Sequence, residues 1–201
     1  YSDAPYRIFA FGGATVRVTI AQEGIDRTTF FYEYRNGAEP FIKRSYPHPN
    51  SLDEGSPQLA LSASGAMYNL YVRLDQDDDS TACSIFKTTN GGLNWAAKTD
   101  EWPSLSVGAL VMHPSNPNII YCGTGEGNSA IDVYPGFGVL KSTDMGDTWS
   151  LIGLTDALHI PSMDIHPLNP NIVYASVMGF RSFSQNKGIY KSTNAGVNWS
   201  R

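Results

Sequence analysis

Carboxylate side chains that could carry acid–base chemistry occur in irregular stretches of the chain. Glu126 could pair with Asp132 or with Asp156 to cleave a glycosidic bond. This reaction needs two carboxyl groups roughly 5 to 5.5 Å apart in a retaining enzyme, or roughly 6.5 to 9.5 Å apart in an inverting one. One of them must also hold its proton near neutral pH, which requires a partly desolvated position. The sequence therefore raises glycoside hydrolysis as one hypothesis.

Aromatic and cationic side chains accompany these carboxylates. Tyr134 follows closely after Glu126, and Arg181 and Phe183 lie in the matching stretch of the next repeated unit. Carboxylates and aromatic rings suit a sugar, because its hydroxyl groups need hydrogen-bond partners and its C–H faces stack on rings. These four residues are the predicted ligand-binding set. The alternative is that they are ordinary solvated side chains, since exposed loops are usually polar.

A run of acidic residues offers oxygen ligands to a hard cation. Asp75, Asp77 and Asp79 lie in one short loop, and a Ca²⁺ site is one interpretation of them. The run has neither the glycine at the sixth place nor the closing glutamate of an EF-hand, which favours a solvated acidic loop. No other cofactor is expected, because the four histidines do not cluster at metal-ligand spacing.

An eight-residue segment, here called the hairpin motif, occurs three times at intervals of about 50 residues. Its clearest copy is Ser142–Trp149, and the others begin at Thr88 and Ser192. The hydroxyl and the Asp or Asn side chain are expected to bond nearby backbone groups, the glycine to supply a positive φ, and the tryptophan to enter the core. The residues with these predicted structural roles are Ser142, Asp144, Gly146 and Trp149, then Asn90, Gly92 and Trp95, then Asn194, Gly196 and Trp199.

A second motif, the His-Pro turn, has the same period. Residues 113–118 read His-Pro-Ser-Asn-Pro-Asn, and residues 166–171 read His-Pro-Leu-Asn-Pro-Asn. Proline fixes φ and asparagine favours turn conformations, so each copy predicts a turn between two strands. Because the histidine repeats with the turn and not with an acidic partner, a turn role is favoured over a catalytic one.

Short apolar and β-branched runs alternate with Gly, Pro and Asn along each unit, which indicates strands. In the clearest unit, strands are predicted over 107–112, 119–123, 138–141 and 149–153, and Cys122 is predicted to be a small buried apolar residue. No stretch shows helical periodicity. Four antiparallel strands in a repeated unit of about 50 residues predict an all-β fold, a β-propeller built of four-stranded blades.

The hairpin motif also carries a resemblance to known proteins. Ser-x-Asp-x-Gly-x-Thr-Trp at Ser142–Trp149 resembles the Asp-box (BNR) repeat of sialidases, xyloglucanase-type glycoside hydrolases and sortilin-type receptors. Residues 57–201 carry this resemblance, and Gly123–Asn128 with Gly138–Ser142 are most similar to secreted BNR-repeat glycosyl-hydrolase-like and sortilin-like propellers. The resemblance implies an extracellular or cell-surface protein whose ligand is a glycan or another protein.

One partial propeller is expected to span residues 1–201. Blades are predicted at 57–103, 104–156 and 157–201, with residues 1–56 forming a degenerate first blade or edge strands. The last blade is expected to lack its fourth strand, and a propeller needs roughly 4 to 8 blades to close. The exposed edge is therefore expected to pair with the rest of a longer chain or with another chain.

Composition excludes some classes of partner. The chain has 14 Lys and Arg against 19 Asp and Glu, a formal net charge of -5, so no basic field is available to attract nucleic acid. No window approaches the roughly 20 apolar residues of a membrane span, so none is expected.

Strand direction assigns the motifs and the candidate residues to opposite faces. The hairpin motifs and the His-Pro turns are predicted on one face, here called the hairpin face. Loops between the second and third strands of a blade, and links between blades, are predicted on the other, the loop face. The favoured interpretation is a secreted or cell-surface module that binds a glycan or protein without catalysis. Sialidase-like or xyloglucanase-like hydrolysis is the alternative, and a structural spacer would need neither face.

Overall fold

The computed structural model describes part of the chain, and side chains are described for Ile85, Lys87 and the stretches from residue 96 onward. The described residues are 6–11, 14–23, 28–35, 38–45, 58–61, 67–72, 83–88, 96–99, 101–102, 106–125, 127, 135–179 and 186–201.

Four antiparallel sheets follow one another along the chain, and within each sheet the strands neighbour one another in sequence order. The first sheet contains β1 (Tyr6–Phe11), β2 (Ala14–Glu23), β3 (Thr28–Arg35) and β4 (Ala38–Ser45). The second contains β5 (Gln58–Leu61), β6 (Met67–Val72), β7 (Cys83–Thr88) and β8 (Ala96–Ala97).

The third sheet contains β9 (Val107–Met112), β10 (Ile120–Thr124), β11 (Val139–Ser142) and β12 (Ser150–Gly153). These bounds agree with the strands predicted from the sequence to within one residue. The fourth contains β13 (Ser162–Ile165), β14 (Val173–Val177) and β15 (Gly188–Ser192), and Lys191 forms a further antiparallel bridge with Ser200.

The third sheet is buried on both faces, which explains the continuous apolar run in its second strand. Ile120 and Cys122 enter one hydrophobic cluster, and Tyr121 between them enters another on the opposite side. In the first cluster Ile85 of the second sheet joins residues of the third. In the second, Ile165 and other residues of the fourth sheet join residues of the third. Neighbouring sheets are therefore held together by apolar side chains.

The prediction of an all-β propeller with four-stranded antiparallel blades is confirmed. The described residues contain no helix, and therefore none long and apolar enough to cross a membrane. One detail of the prediction is wrong. Trp149 is 8% exposed and buried, but Trp199 is only partly buried, with its indole packed over Gly153 and against the second cluster. Trp95 lies outside the described residues.

Candidate functional site

The hairpin motif closes by hydrogen bonds from its own short side chains. The Ser142 hydroxyl donates to Asp144 Oδ1 (2.8 Å) and accepts from the amide of Gly146 (2.7 Å). Asp144 also accepts from the amide (2.8 Å) and the hydroxyl (2.5 Å) of Thr148. Both Met145 (φ 62°) and Gly146 (φ 81°) adopt the left-handed conformation. The motif thus needs two such residues, where the sequence predicted only the glycine.

These hydrogen bonds lower the pKa of the first acidic residue of the motif. Partial desolvation alone would raise the pKa of Asp144, but the hydrogen bonds from Thr148, Ser142 and the Asp147 amide lower it to about 2. Asn194 takes the same place in the last copy, where it accepts from the Ser192 hydroxyl (2.9 Å). The uncharged amide of Asn194 accepts the same hydrogen bond there, so the turn needs an acceptor at this position but not a charge.

The His-Pro turns lie against the hairpin motifs, which confirms that both are on one face. The amide of Met145 donates to the Asn118 carbonyl (3.0 Å), and the amide of Ala195 donates to the Asn171 carbonyl (2.8 Å). Within the first turn, His113 Nδ1 accepts from the amide of Asn116 (3.0 Å). Burial, with the nearby Lys141 charge, lowers the pKa of His113 and keeps its acceptor nitrogen unprotonated.

His166 accepts in the same way from the amides of Leu168 (3.2 Å) and Asn169 (3.1 Å). The turn role predicted for the two histidines is confirmed by this geometry. The hairpin face is therefore occupied by structural motifs.

The loop face is organised by close backbone contacts between the third and fourth sheets. The amide of Gly136 donates to the Leu158 carbonyl (2.6 Å), and the amide of Ile160 donates to the Thr124 carbonyl (3.0 Å). A Cβ on Gly125 would lie 1.9 Å from the Leu158 carbonyl oxygen, and its φ is 89°. The loop after β10 therefore lies directly on the link after β12, with glycine at the point of contact.

An aromatic pair stands on this face where the second and third sheets meet. Trp102 and Phe137 stack with ring centroids 5.5 Å apart and planes inclined by 11°, and both rings are partly exposed. The buried Thr124 hydroxyl accepts from the Phe137 amide (2.8 Å) and donates to the Gly138 carbonyl (2.7 Å). These bonds hold the backbone that carries Phe137, so its ring is presented in a defined place. Flat rings of this kind can stack on the C–H face of a sugar.

Among the residues predicted to be catalytic, ligand-binding or metal-binding, Asp156 is the one whose side chain is described. It is exposed, in a turn closed by the Ala157 amide and the Leu154 carbonyl (2.8 Å). The others lie outside the described residues, as do the motif residues of the second unit, Asn90, Gly92 and Trp95. The site residues concerned are Glu126, Asp132, Tyr134, Arg181 and Phe183 and the Ca²⁺ candidates Asp75, Asp77 and Asp79.

No group of three or more His, Cys, Asp or Glu side chains able to hold a metal ion occurs in the described part of the chain. The sequence interpretation did not select Trp102 or Phe137. Two signals pointed to them: Trp102 precedes a proline in the link between two units, and Phe137 stands between two glycines in the loop already considered for binding. Both rings also pack against the first hydrophobic cluster, which leaves them partly exposed on the loop face.

No model of a known protein family matches the chain. Two curated proteins are similar to part of it. The xyloglucanase of Hypocrea jecorina is 28% identical over 137 residues, 64% of this chain and 14% of that protein. The xyloglucanase of a Paenibacillus species is 29% identical over 107 residues, 51% of this chain and 10% of that protein. The matched part is thus a small fraction of either relative.

Solved structures show the same fold. The GH74 enzyme of Niastella koreensis superposes with a TM-score of 0.62 at 18% identity, covering 93% of this chain and 28% of that one. The GH93 α-L-arabinofuranosidase of Fusarium graminearum gives 0.54 at 11% identity, covering 100% of this chain and 67% of that one. The chain therefore has the propeller architecture found in glycoside hydrolases of at least two families.

Proposed function

We propose that the protein is a glycoside hydrolase that acts on a glycan of the xyloglucan type. The observation that carries this proposal is the similarity to two xyloglucanases over half or more of the chain. It favours the hydrolase, the alternative raised from the sequence, over a binding module without catalysis. The aromatic pair on the loop face supports it, because a polysaccharide backbone needs flat apolar surfaces to lie on.

The division of the molecule into two faces supports a site on the loop face. Hydrogen-bonded turns of both repeated motifs occupy the hairpin face. On the loop face, Trp102 and Phe137 would bind sugar rings. Glu126 with Asp132 or Asp156 would supply the acid and its partner carboxylate, and Tyr134, Arg181 and Phe183 would contact the hydroxyl groups and ring faces.

Three further properties belong to the same proposal. The hairpin motif is an Asp-box, supported by its Ser, Asp and Gly bonding pattern. The protein works outside the cell or at its surface, because a polymeric glycan of the xyloglucan type occurs there. It takes no cofactor for the hydrolysis, since two carboxyl groups and water suffice.

The test is turnover of xyloglucan by the polypeptide that carries these 201 residues, measured as new reducing ends. Glu126→Gln is expected to abolish turnover while leaving xyloglucan binding intact, and Asp132→Asn or Asp156→Asn should identify the partner. Ser115→Ala, which removes an exposed hydroxyl from the first His-Pro turn on the hairpin face, is the control and should retain full activity.

Binding of xyloglucan without turnover by the unsubstituted protein would contradict the hydrolase and favour the binding module. Turnover that persists in each of the three carboxylate variants would reject the proposed residues. Neither binding nor turnover would reject the glycan proposal as a whole.

A further inference from the structure

The third and fourth sheets carry equivalent rows of side chains close to their hairpin motifs. Cross-strand register defines each row as three neighbouring residues that end in a tyrosine and a lysine. The covered row, in the third sheet, is Val111, Tyr121 and Lys141. The open row, in the fourth sheet, is Asp164, Tyr174 and Lys191.

The covered row receives one backbone carbonyl from the next hairpin motif. The Tyr121 hydroxyl and the Lys141 ammonium both donate to the carbonyl of Ala195, at 3.1 Å each. Ala195 precedes the motif glycine and adopts the left-handed conformation, with a φ of 56°. Lys141 Nζ also lies 5.1 Å from the Tyr121 ring centroid, so the pair is held together. Tyrosine and lysine thus act as a two-donor receptor for a hairpin.

The open row has the same pair in nearly the same arrangement. Lys191 Nζ lies 5.7 Å from the Tyr174 ring centroid. Tyr174 is partly buried and Lys191 is exposed, whereas Tyr121 is fully buried. No described residue accepts a hydrogen bond from the side chain of Tyr174 or Lys191. The receptor geometry is therefore present without the carbonyl that fills it in the third sheet.

Next to each of these rows lies a second pair of equivalent residues, and here the third and fourth sheets differ. Gly123 in the third sheet admits Ile160, since a Cβ there would lie 2.5 Å from Ile160 Cγ2. The equivalent residue in the fourth sheet, by register, is Ser176, whose Cβ would block a side chain placed like that of Ile160. Beside it, Ile189 is 69% exposed, where the equivalent Val139 is fully buried.

We propose that the open row is the seat for the hairpin motif of a further propeller blade. Tyr174 and Lys191 donate to the carbonyl of the residue before that blade's motif glycine. Opposite Ser176, the equivalent of Gly123, the blade has a side chain smaller than isoleucine. This assignment does not depend on the glycan activity.

The experiment appends to the chain a copy of its own residues 154–201 with alanine at the place of Ile160. Lysine acylation followed by mass spectrometry then reports the exposure of individual ammonium groups. In the chain alone, Lys191 is expected to react about tenfold faster than the partly covered Lys141, about 1.4 kcal/mol of protection. In the extended chain, the rate for Lys191 should fall to that of Lys141.

A matched pair of double variants separates seating from general stability. Tyr121→Phe with Lys141→Met should lower the melting temperature of the unextended chain by about 2 to 4 °C, and Tyr174→Phe with Lys191→Met should leave it unchanged. In the extended chain the second double variant should lower it by a similar amount. An appended blade that leaves Lys191 as reactive as before, or that does not fold, would overturn the assignment. The assignment would also be overturned if the Tyr174 and Lys191 substitutions left the melting temperature of the extended chain unchanged.

Discussion

At two boundaries between sheets, the hairpin motif of one sheet binds a lysine of the preceding sheet through different groups. Where the second sheet meets the third, Asp147 of the hairpin motif accepts from Lys87 Nζ (2.6 Å) and Lys98 Nζ (2.8 Å). Where the third meets the fourth, Val197 stands at the place of Asp147 and is 69% exposed. Lys141, the equivalent of Lys87, donates there to the backbone carbonyl of Ala195 instead.

The comparison shows which part of the hairpin interface is fixed by the fold. The lysine before the motif is present at both boundaries, but its acceptor is a carboxylate at one and a carbonyl at the other. Both boundaries contain an apolar cluster, around Ile85 at the first and around Ile160 at the second. The first adds an ion pair, which is sensitive to protonation, whereas the second adds hydrogen bonds to a backbone carbonyl. Substitutions that act on one boundary and spare the other can test this difference.

The largest effect is expected in the apolar cluster of the second boundary. Ile160 is fully buried and packs with Tyr121 and Val139, so Ile160→Ala should lower the free energy of unfolding by about 2 to 5 kcal/mol. Leu158→Ala, two residues earlier and 44% exposed, is the control and should change it by less than about 0.5 kcal/mol. Urea unfolding measures both. Equal losses in the two variants would show that Ile160 does not hold this boundary.

A smaller effect is expected in the ion pair of the first boundary. Asp147→Ala removes the carboxylate that binds the buried Lys87, and should cost about 1 to 2 kcal/mol because the Asp147 side chain is itself 49% exposed. Val197→Ala at the matching place of the last motif should stay within about 0.5 kcal/mol. The same urea titration compares them, and an Asp147 variant as stable as the Val197 variant would remove the contrast between the boundaries.

How much could be predicted from the sequence depends on whether a local pattern or a long-range contact fixes the feature. The strands, the turn roles of His113 and His166 and the two faces could be predicted, because repeated turn residues set them locally. The acceptor of Lys141 could not, since Ala195 lies 54 residues away and offers only a backbone carbonyl.

The candidate site was less accessible to sequence reasoning for a related reason. The sequence favoured charged and aromatic residues of the most irregular loops, such as Glu126 and Arg181. The aromatic pair is formed by Trp102 and Phe137, 35 residues apart in different units. Only the packing of the second sheet against the third brings the two rings together, and no spacing in the sequence signals it.

The smallest effect is the response to acid. Hydrogen bonds from Lys87 and Lys98 lower the pKa of Asp147, and that of Asp144 falls to about 2. A carboxyl group with a lowered folded-state pKa stabilises the fold above its unfolded value of 3.8 and loses that contribution as pH falls through the folded value. Stability should therefore drop between about pH 4 and pH 2.

The last hairpin motif, with Asn194 and Val197 at the matching places, offers no such group. Asp147→Asn should flatten part of this pH dependence, as followed by unfolding midpoints in a pH series. An acid response unchanged in that variant would contradict the ionic description of the first boundary.

The most direct test of the central claim, that the loop face binds a glycan and the hairpin face is structural, is calorimetric titration with a xyloglucan oligosaccharide. Trp102→Ala should weaken binding about tenfold or more, a loss of about 1.4 kcal/mol. Leu168→Ala, which removes a 91% exposed side chain from the hairpin face, should bind as tightly as the unsubstituted protein. Folded Trp102→Ala protein with undiminished affinity, or an equal loss in Leu168→Ala, would contradict the account.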